Sequence, residues 1–251
     1  MRKVQCRHLI FGESLPKICV PLVGKTKREI EREYRRAQAW PADLLEWRAD
    51  CLASAEGMFP LPFEKGGRPL LATIRTAQEG GSWTGSPAEY EAAVAELIDS
   101  GVFELVDLEL SCGEERVGRL IKRAKRAGVL TVVSKHDFAG TPPREEITET
   151  LRRMAALGAD LPKYAVMPQT PEDVWELLGA SLQASRLCGP VIAVAMGEYG
   201  KISRIGGEYF GSAVTFAAGE EASAPGQLAC KEVSGMLQTL KIQTNEVSSH
   251  E

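Results

Sequence analysis

His136, at the end of the run VLTVVSKHDF (129–138), is one of three histidines, and the other two, His8 and His250, lie near the chain ends. A histidine just past the carboxyl end of a β-strand stands where α/β folds present their chemistry, and imidazole is the side chain most readily poised for proton transfer near neutral pH. Lys163 is the second conspicuous group, because it interrupts the apolar run PKYAVM (162–167) and lysines are rarely buried without a reason. Either its stem snorkels from the strand's start, or it is a desolvated amine that attacks a carbonyl and forms a Schiff base. The ends of other apolar runs supply Glu46 and Arg48, Arg75 and Glu79, Met196 and Arg204, then Ser223 and Gln227. Arg48 and Arg75 are open to a structural reading as ion-pair partners of Glu46 and Glu79. Three arginines at one mouth instead suit recognition of a carboxylate and hydroxyls, since the guanidinium fork matches a carboxylate bidentately. Glu79, four residues after Arg75 in RTAQEGG, can turn back to orient the imidazole and support its protonated form.

Groups so far apart in sequence converge only if a regular scaffold carries them. Eight candidate strands (17–23, 43–48, 70–75, 104–110, 129–135, 162–167, 191–196 and 213–217) alternate with amphipathic segments. Several are continuously apolar, as strands covered on both faces are. TKREIEREYRRAQAW places Thr26 and Glu29 in capping-box spacing, and SPAEYEAAVAELIDSG opens on Ser86 and Pro87 and closes at Gly101. EERVGRLIKRAKRAG, PREEITETLRRMAALG and TPEDVWELLGASLQASRLCG each end at a glycine, and QLACKEVSGMLQTL is amphipathic. Residues 51–68 make the weakest helix, and SRIGGEYFG holds only a short one. Eight β–α units without a composition break predict an α/β fold, a closed (β/α)8 TIM barrel, as a single domain over 1–251 rather than an open doubly wound sheet. Residues 1–12 fall outside the count and are expected to form a short hairpin plugging the barrel bottom, and the tail from about 244 is expected to fray.

A net charge of −4 argues against a nucleic-acid partner, so a few placed arginines must gather any anionic ligand. The six cysteines are scattered, with neither a C-x-x-C pair nor zinc spacing, which fits a reducing, cytoplasmic setting. No membrane association is expected, because no apolar run approaches the ~18 residues of a span and the amino terminus lacks a signal-peptide core. Gly24-Lys25-Thr26 is not a P-loop, since Cys19 stands where its first glycine belongs, and no G-x-G-x-x-G opens a helix after a strand. The carboxylates show no metal-ligand spacing. No metal or cofactor is expected.

The segments PKICVPLVGKT, LLEWRAD, ATIRTAQEGG, VDLEL, SKHDFAGTP, KYAVMP, ISRIGGEYFGSAVTF and ASAPGQL, in this order, resemble the type I 3-dehydroquinate dehydratases of the shikimate pathway over essentially the whole length. The resemblance implies a (β/α)8 barrel, usually a homodimer, that converts 3-dehydroquinate to 3-dehydroshikimate by syn elimination without metal or cofactor. It implies Lys163 as the Schiff-base lysine, His136 as general acid/base and Glu79 as its carboxylate partner. Glu46, Arg48, Arg75 and Arg204 match substrate-contacting positions, with Arg204 expected to hold the carboxylate. Ser223 and Gln227 match a loop that closes over the substrate, and Met196 and Phe216 match the pocket lining. Val194 stands where relatives often carry methionine, a departure in pocket packing. A Schiff-base aldolase on the same barrel would share the strand lysine, but the loops MGEYGKISR and AGEEASAPGQL lack the glycine-rich phosphate cup that such barrels place after their last two strands. A barrel that only binds the metabolite is the other alternative, and the joint presence of Lys163, His136 and Glu79 counts against it. A fused shikimate dehydrogenase is not expected.

Overall fold

The structure, a computed structural model, describes residues 2–53, 63, 67–220 and 222–243. Most of the weak helix expected over 51–68, and the tail from 244, lie outside the described residues. At the amino terminus β1 (Val4–Cys6) and β2 (Leu9–Phe11) pair as an antiparallel hairpin. The strands β3 (Lys17–Leu22), β4 (Leu44–Arg48), β5 (Leu70–Thr73), β6 (Leu105–Glu109), β7 (Leu130–Asp137), β8 (Leu161–Val166), β9 (Ile192–Ala195) and β10 (Val214–Phe216) follow. They form one eight-stranded parallel sheet in the order β10-β3-β4-β5-β6-β7-β8-β9, which curls into a nearly closed barrel. All eight strands expected from the apolar runs are present.

The helices around it are α1 (Lys27–Ala37), α2 (Pro87–Asp99), α3 (Glu114–Ala127), α4 (Arg144–Leu157), α5 (Pro171–Cys188), α6 (Lys201–Ile205), α7 (Gly207–Phe210) and α8 (Cys230–Leu240). The capping boxes of Thr26 with Glu29 and of Ser86 with Glu89 both form. Left-handed Gly128 and Gly158 end α3 and α4. Where one short helix is expected in SRIGGEYFG, two short helices stand, α6 beginning earlier at Lys201 and parted from α7 at Gly206.

Side chains of a strand alternate between faces, so runs that read as continuously apolar divide between two cores. Trp47, Val106, Leu108, Val133, Tyr164 and Ala193 face the helices and join Leu97, Leu120, Leu151 and Leu177 in the outer core. Leu44, Leu71, Leu105, Val132, Leu161 and Ile192 face the lumen, where Val4, Cys6, Leu9 and Phe11 of the hairpin join them. The hairpin plugs the bottom as expected. Two residues further along five of these strands the lumen-facing positions are Glu46, Thr73, Asp107, Ser134 and Lys163, all buried. The lower lumen is an apolar plug and the upper lumen is polar.

The barrel closes imperfectly. Among the described residues a single bridge, Val191 with Ser212, joins the β9 side to the β10 side, with Ala213 N–H donating to the Val191 carbonyl at 2.7 Å. Above it, side chains meet the β9 amides that face this seam. Ala193 N–H donates to Ser212 Oγ at 3.1 Å and Ala195 N–H to Ser203 Oγ at 2.9 Å. A buried amide without an acceptor is costly, and these two hydroxyls replace the missing ladder. Ser212→Ala should therefore lower the unfolding free energy by about 1–3 kcal/mol, the cost of an unsatisfied buried donor. Denaturant unfolding with an unshifted midpoint would show that the seam does not depend on this hydroxyl.

Candidate active site

At the carboxyl ends of the strands lies a cavity of about 560 Å³, counting its open mouth, within the range of small-molecule sites. Glu46, Arg48, Arg75, Glu79, His136, Lys163, Met196, Arg204, Phe216, Ser223 and Gln227 all line it. The barrel therefore brings every site residue expected from the sequence to one place.

Strand register sets the two reactive side chains side by side. Lys163 pairs with Ser134 of β7 and Ile192 of β9, and His136 pairs with Ala165, so Lys163 and His136 project into the same lumen. Lys163 is buried and does not snorkel. Its Nζ lies 4.3 Å from the centroid of the Phe216 ring and 3.6 Å from Asp107 Oδ2. His136 belongs to the last residues of β7 rather than to the loop beyond it, because the β7–β8 ladder continues to Asp137 and Val166.

Glu79 reaches the imidazole through a tight turn. The 3-10 turn Ala77–Glu79 ends at Gly80 with φ of +81°, and a Cβ there would sit 2.3 Å from the Phe138 ring. Only glycine suits both the angle and the space. Glu79 Oε2 lies 2.8 Å from His136 Nδ1 and also accepts the His136 backbone N–H at 3.1 Å. Its Oε1 accepts the Ser111 hydroxyl at 2.5 Å. Burial and the neighbouring Glu109 push the Glu79 carboxyl up to about 7. Burial, followed by the charges of Arg75, Lys163 and Arg48, holds the His136 imidazole well below its ordinary value. The orienting contact expected between the two residues is present. The expected support for imidazolium is outweighed by burial of the ring and by the three cations around it. With Nδ1–H donated to Glu79, the neutral ring keeps Nε2 as a proton acceptor.

The three arginines differ in their partners. The guanidinium of Arg75 lies among Glu109 Oε1 at 2.8 Å, Asp107 Oδ2 at 3.0 Å and Ser134 Oγ at 3.0 Å, with Glu79 Oε2 more distant at 3.6 Å. Arg48 makes a bidentate pair with Asp50, at 2.8 and 2.7 Å. The pairs suggested by sequence proximity, Arg48 with Glu46 and Arg75 with Glu79, are thus not the main ones. Glu46 instead accepts the Thr73 hydroxyl at 2.7 Å. Arg204 has only carbonyls, donating from Nη1 to Phe216 O at 2.9 Å and from Nη2 to Pro225 O at 3.1 Å, and its buried Nε has no partner. Among the described residues no carboxylate pairs with it. Burial lowers its pKa to about 10. A desolvated guanidinium without a counter-ion is a site for an incoming carboxylate.

The loop after β10 covers this arginine. Gln227 Oε1 accepts Ser223 N–H at 2.7 Å, and Pro225 O accepts Gly197 N–H at 3.2 Å. Gly226, with φ of +73°, lies so close to Gly197 that an added Cβ would be 2.2 Å from its carbonyl. Sequence reasoning passed over Asp50, Asp107, Glu109 and Ser134. The available signal was VDLEL, in which two acids at period two break an otherwise apolar strand and so share one face.

The sequence model of the type I 3-dehydroquinase family matches residues 18–244. A 3-dehydroquinate dehydratase of Clostridioides difficile (strain 630) is 39% identical over 97% of this chain and 99% of its own length. One of Listeria monocytogenes serotype 4b is 43% identical over 97% of this chain and 100% of its own. Among solved structures, a type I 3-dehydroquinate dehydratase from Clostridium difficile with covalently modified comenic acid has a TM-score of 0.90 at 40% identity, covering 95% of this chain and 98% of that one. The 3-dehydroquinate dehydratase of Geobacillus kaustophilus has a TM-score of 0.88 at 39% identity, covering 95% and 96%.

The charges around His136 give a titration with a defined sign. In ¹⁵N-histidine NMR spectra the His136 ring should be neutral and Nδ1-protonated at pH 7.5 and stay uncharged well below pH 6.5. The Glu79 carboxyl should gain its proton as pH falls through about 7. A ring already cationic at pH 7 would contradict this arrangement.

Proposed function

This chain belongs to the type I 3-dehydroquinase family, and from that footing we propose that it converts 3-dehydroquinate to 3-dehydroshikimate and water through a Schiff base on Lys163. The observation that carries the proposal is one cavity holding a buried lysine, a histidine tied to a carboxylate and an arginine without a counter-ion.

The chemistry required is specific. The substrate is a β-hydroxy ketone bearing a carboxylate. Loss of water means removing a weakly acidic proton alpha to the carbonyl and expelling hydroxide, a poor leaving group. Lys163 Nζ attacks the ketone carbon, and the carbinolamine loses water to give an iminium, with His136 assisting the proton transfers. The iminium withdraws electrons and acidifies the adjacent carbon. His136 Nε2, kept free by the bond of Nδ1 to Glu79, takes the alpha proton and leaves an enamine. The enamine pushes out the β-hydroxyl while His136 returns a proton to it, so a second water departs. Hydrolysis of the product iminium consumes one water and frees Lys163, leaving a net loss of one. A single histidine acting first as base and then as acid suits a syn elimination. Depression of its basicity by burial, and then by Arg75, Lys163 and Arg48, makes the transient imidazolium a ready acid.

Arg204 takes the substrate carboxylate, and Glu46 and Arg48 face the hydroxyls. Phe216 and Met196 flank the carbon frame, and Ser223 and Gln227 close over it to exclude water. Arg75, committed to Asp107 and Glu109, meets the substrate with whatever edge they leave. We also propose that the chain forms a single domain, works in the cytoplasm and pairs as a homodimer. The exposed Trp175 and Leu187 on α5 support a face covered by a second copy.

Borohydride reduction with 3-dehydroquinate should leave a covalent adduct that peptide mapping places on Lys163. Lys163→Ala should give no adduct and no measurable turnover. His136→Ala should still be trapped, slowly, while kcat falls by ~10²–10⁴, the range of general acid–base help. An adduct absent from Lys163 in the native protein would sink the mechanism. Gln227→Ala should raise KM while trapping survives, and a native KM in that variant would count against the covering role of the loop.

A further inference from the structure

Helix α6 is five residues long and has no side-chain cap at its amino end, so it is too short to hold itself in place. It carries Arg204 and is seated against β9, β10, α7 and α8. The hydroxyl of Ser203, the preceding residue, accepts Ala195 N–H at the end of β9 at 2.9 Å and donates to the Gly200 carbonyl at 2.7 Å. Ser203 is buried. At Gly200 an added Cβ would lie 2.2 Å from the Ala195 carbonyl, so the start of α6 is pressed against the strand end and the hydroxyl joins the two. Of the carbonyls that Arg204 reaches, Pro225 O belongs to the covering loop and Phe216 O to the end of β10. Phe216 O and the seat of α6 hold the guanidinium from the barrel side, and Pro225 O holds it from the loop side.

We propose that Ser203 is a positioning residue for recognition of the substrate carboxylate: by locking α6 to the edge of β9 it sets the Arg204 guanidinium at the cavity wall. This rests on the reading that Arg204 binds that carboxylate. Ser212 makes the comparison possible. It does the same work on the same strand edge, accepting Ala193 N–H, but it sits at the foot of β10 and carries no cavity residue. If Ser203 were merely structural, the two alanine variants would behave alike.

The experiment measures thermal stability, KM and kcat for Ser203→Ala, Ser212→Ala and Arg204→Ala, with 3-dehydroquinate and with its carboxamide analogue. Both serine variants should lose stability. Ser203→Ala should raise KM for 3-dehydroquinate roughly tenfold, the order of a weakened charge-assisted hydrogen bond, with kcat changed much less. Ser212→Ala should keep the native KM. The KM penalty of Ser203→Ala should disappear with the carboxamide, which no longer presents an anion to Arg204. Should Ser203→Ala fail to fold, Ser203→Cys, which keeps a weak donor and acceptor, is expected to give the same KM effect in smaller measure. A native KM in the Ser203 variant, an equal rise in both serine variants, or a penalty that persists with the carboxamide overturns the proposal. Arg204→Ala separates the two failures. If it leaves KM unchanged, the reading of Arg204 falls first. If it raises KM while Ser203→Ala does not, the positioning role alone falls.

Discussion

The barrel mouth depends on one cation, Arg75. Asp107 and Glu109 stand two residues apart on β6 and face the same lumen, both fully buried. Two carboxylates cannot be desolvated together without a counter-charge. The Arg75 guanidinium supplies it, reaching both acids and the Ser134 hydroxyl. Buried ion pairs of this kind add little net stability, since their desolvation offsets most of the attraction. Their consequence here is electrostatic. Burial resists ionisation of Asp107, but Arg75 and Lys163 outweigh it and hold its carboxyl below the usual range. For Glu109 burial prevails and the carboxyl rises. Burial and then Glu109 lift Glu79, while burial and then Arg75 and Lys163 depress His136. The protonation states of the histidine and of the carboxylate that orients it thus follow first from their burial and then from the charges gathered around Arg75.

Arg204 shows the opposite solution to the same problem. It is as buried as Arg75, yet its partners are two backbone carbonyls, which accept hydrogen bonds without neutralising charge. Among the described residues the protein supplies no counter-ion to this guanidinium, and its Nε has no partner. That division of labour explains why the arginines of one cavity are not interchangeable. Arg75 is saturated by acids of the barrel, Arg48 is held bidentately by Asp50, and Arg204 retains its capacity for an anion. Asp50 also accepts the Ser82 amide at 3.0 Å, so the turn that carries Glu79 and the arginine that ends β4 are anchored to one carboxylate.

How much of this could be read from residues alone follows from the range of each interaction. The strands and capped helices were legible because their signals are local: alternation, a Thr26–Glu29 spacing, a glycine after α3. His136 and Lys163 were legible because each breaks a local pattern, a lone histidine at a strand end and a lysine in an apolar run. The arginine pairings were not legible. Proximity in sequence suggested Arg75 with Glu79, whereas the parallel register sets the end of β5 beside β6 and delivers Asp107 and Glu109 to it. The direction in which His136 is shifted was missed for a related reason. One carboxylate was visible as its neighbour, while the burial of the ring and the three opposing cations arise only when β4, β5 and β8 share a lumen. Sequence patterns likewise did not separate the two cores, since alternation between two apolar environments looks like no alternation at all.

The seam between β9 and β10 ties these features together. A fully laddered barrel would pair the β9 amides with the carbonyls of β10 and leave no room for a helix to reach the strand edge. Here a single bridge suffices at the bottom, and higher up a serine hydroxyl from α6 takes the place of a strand carbonyl. The gap in the ladder is therefore where Arg204 enters the lumen. The same region receives the covering loop, whose Pro225 carbonyl accepts from both Gly197 and Arg204. Bringing Arg204, the strand edge and the loop to one place couples them physically. The Arg204 side chain thus bridges the end of β10 and the carbonyl that seats the loop. A sheet closed by backbone alone would be stiffer, but it would offer no such shared element.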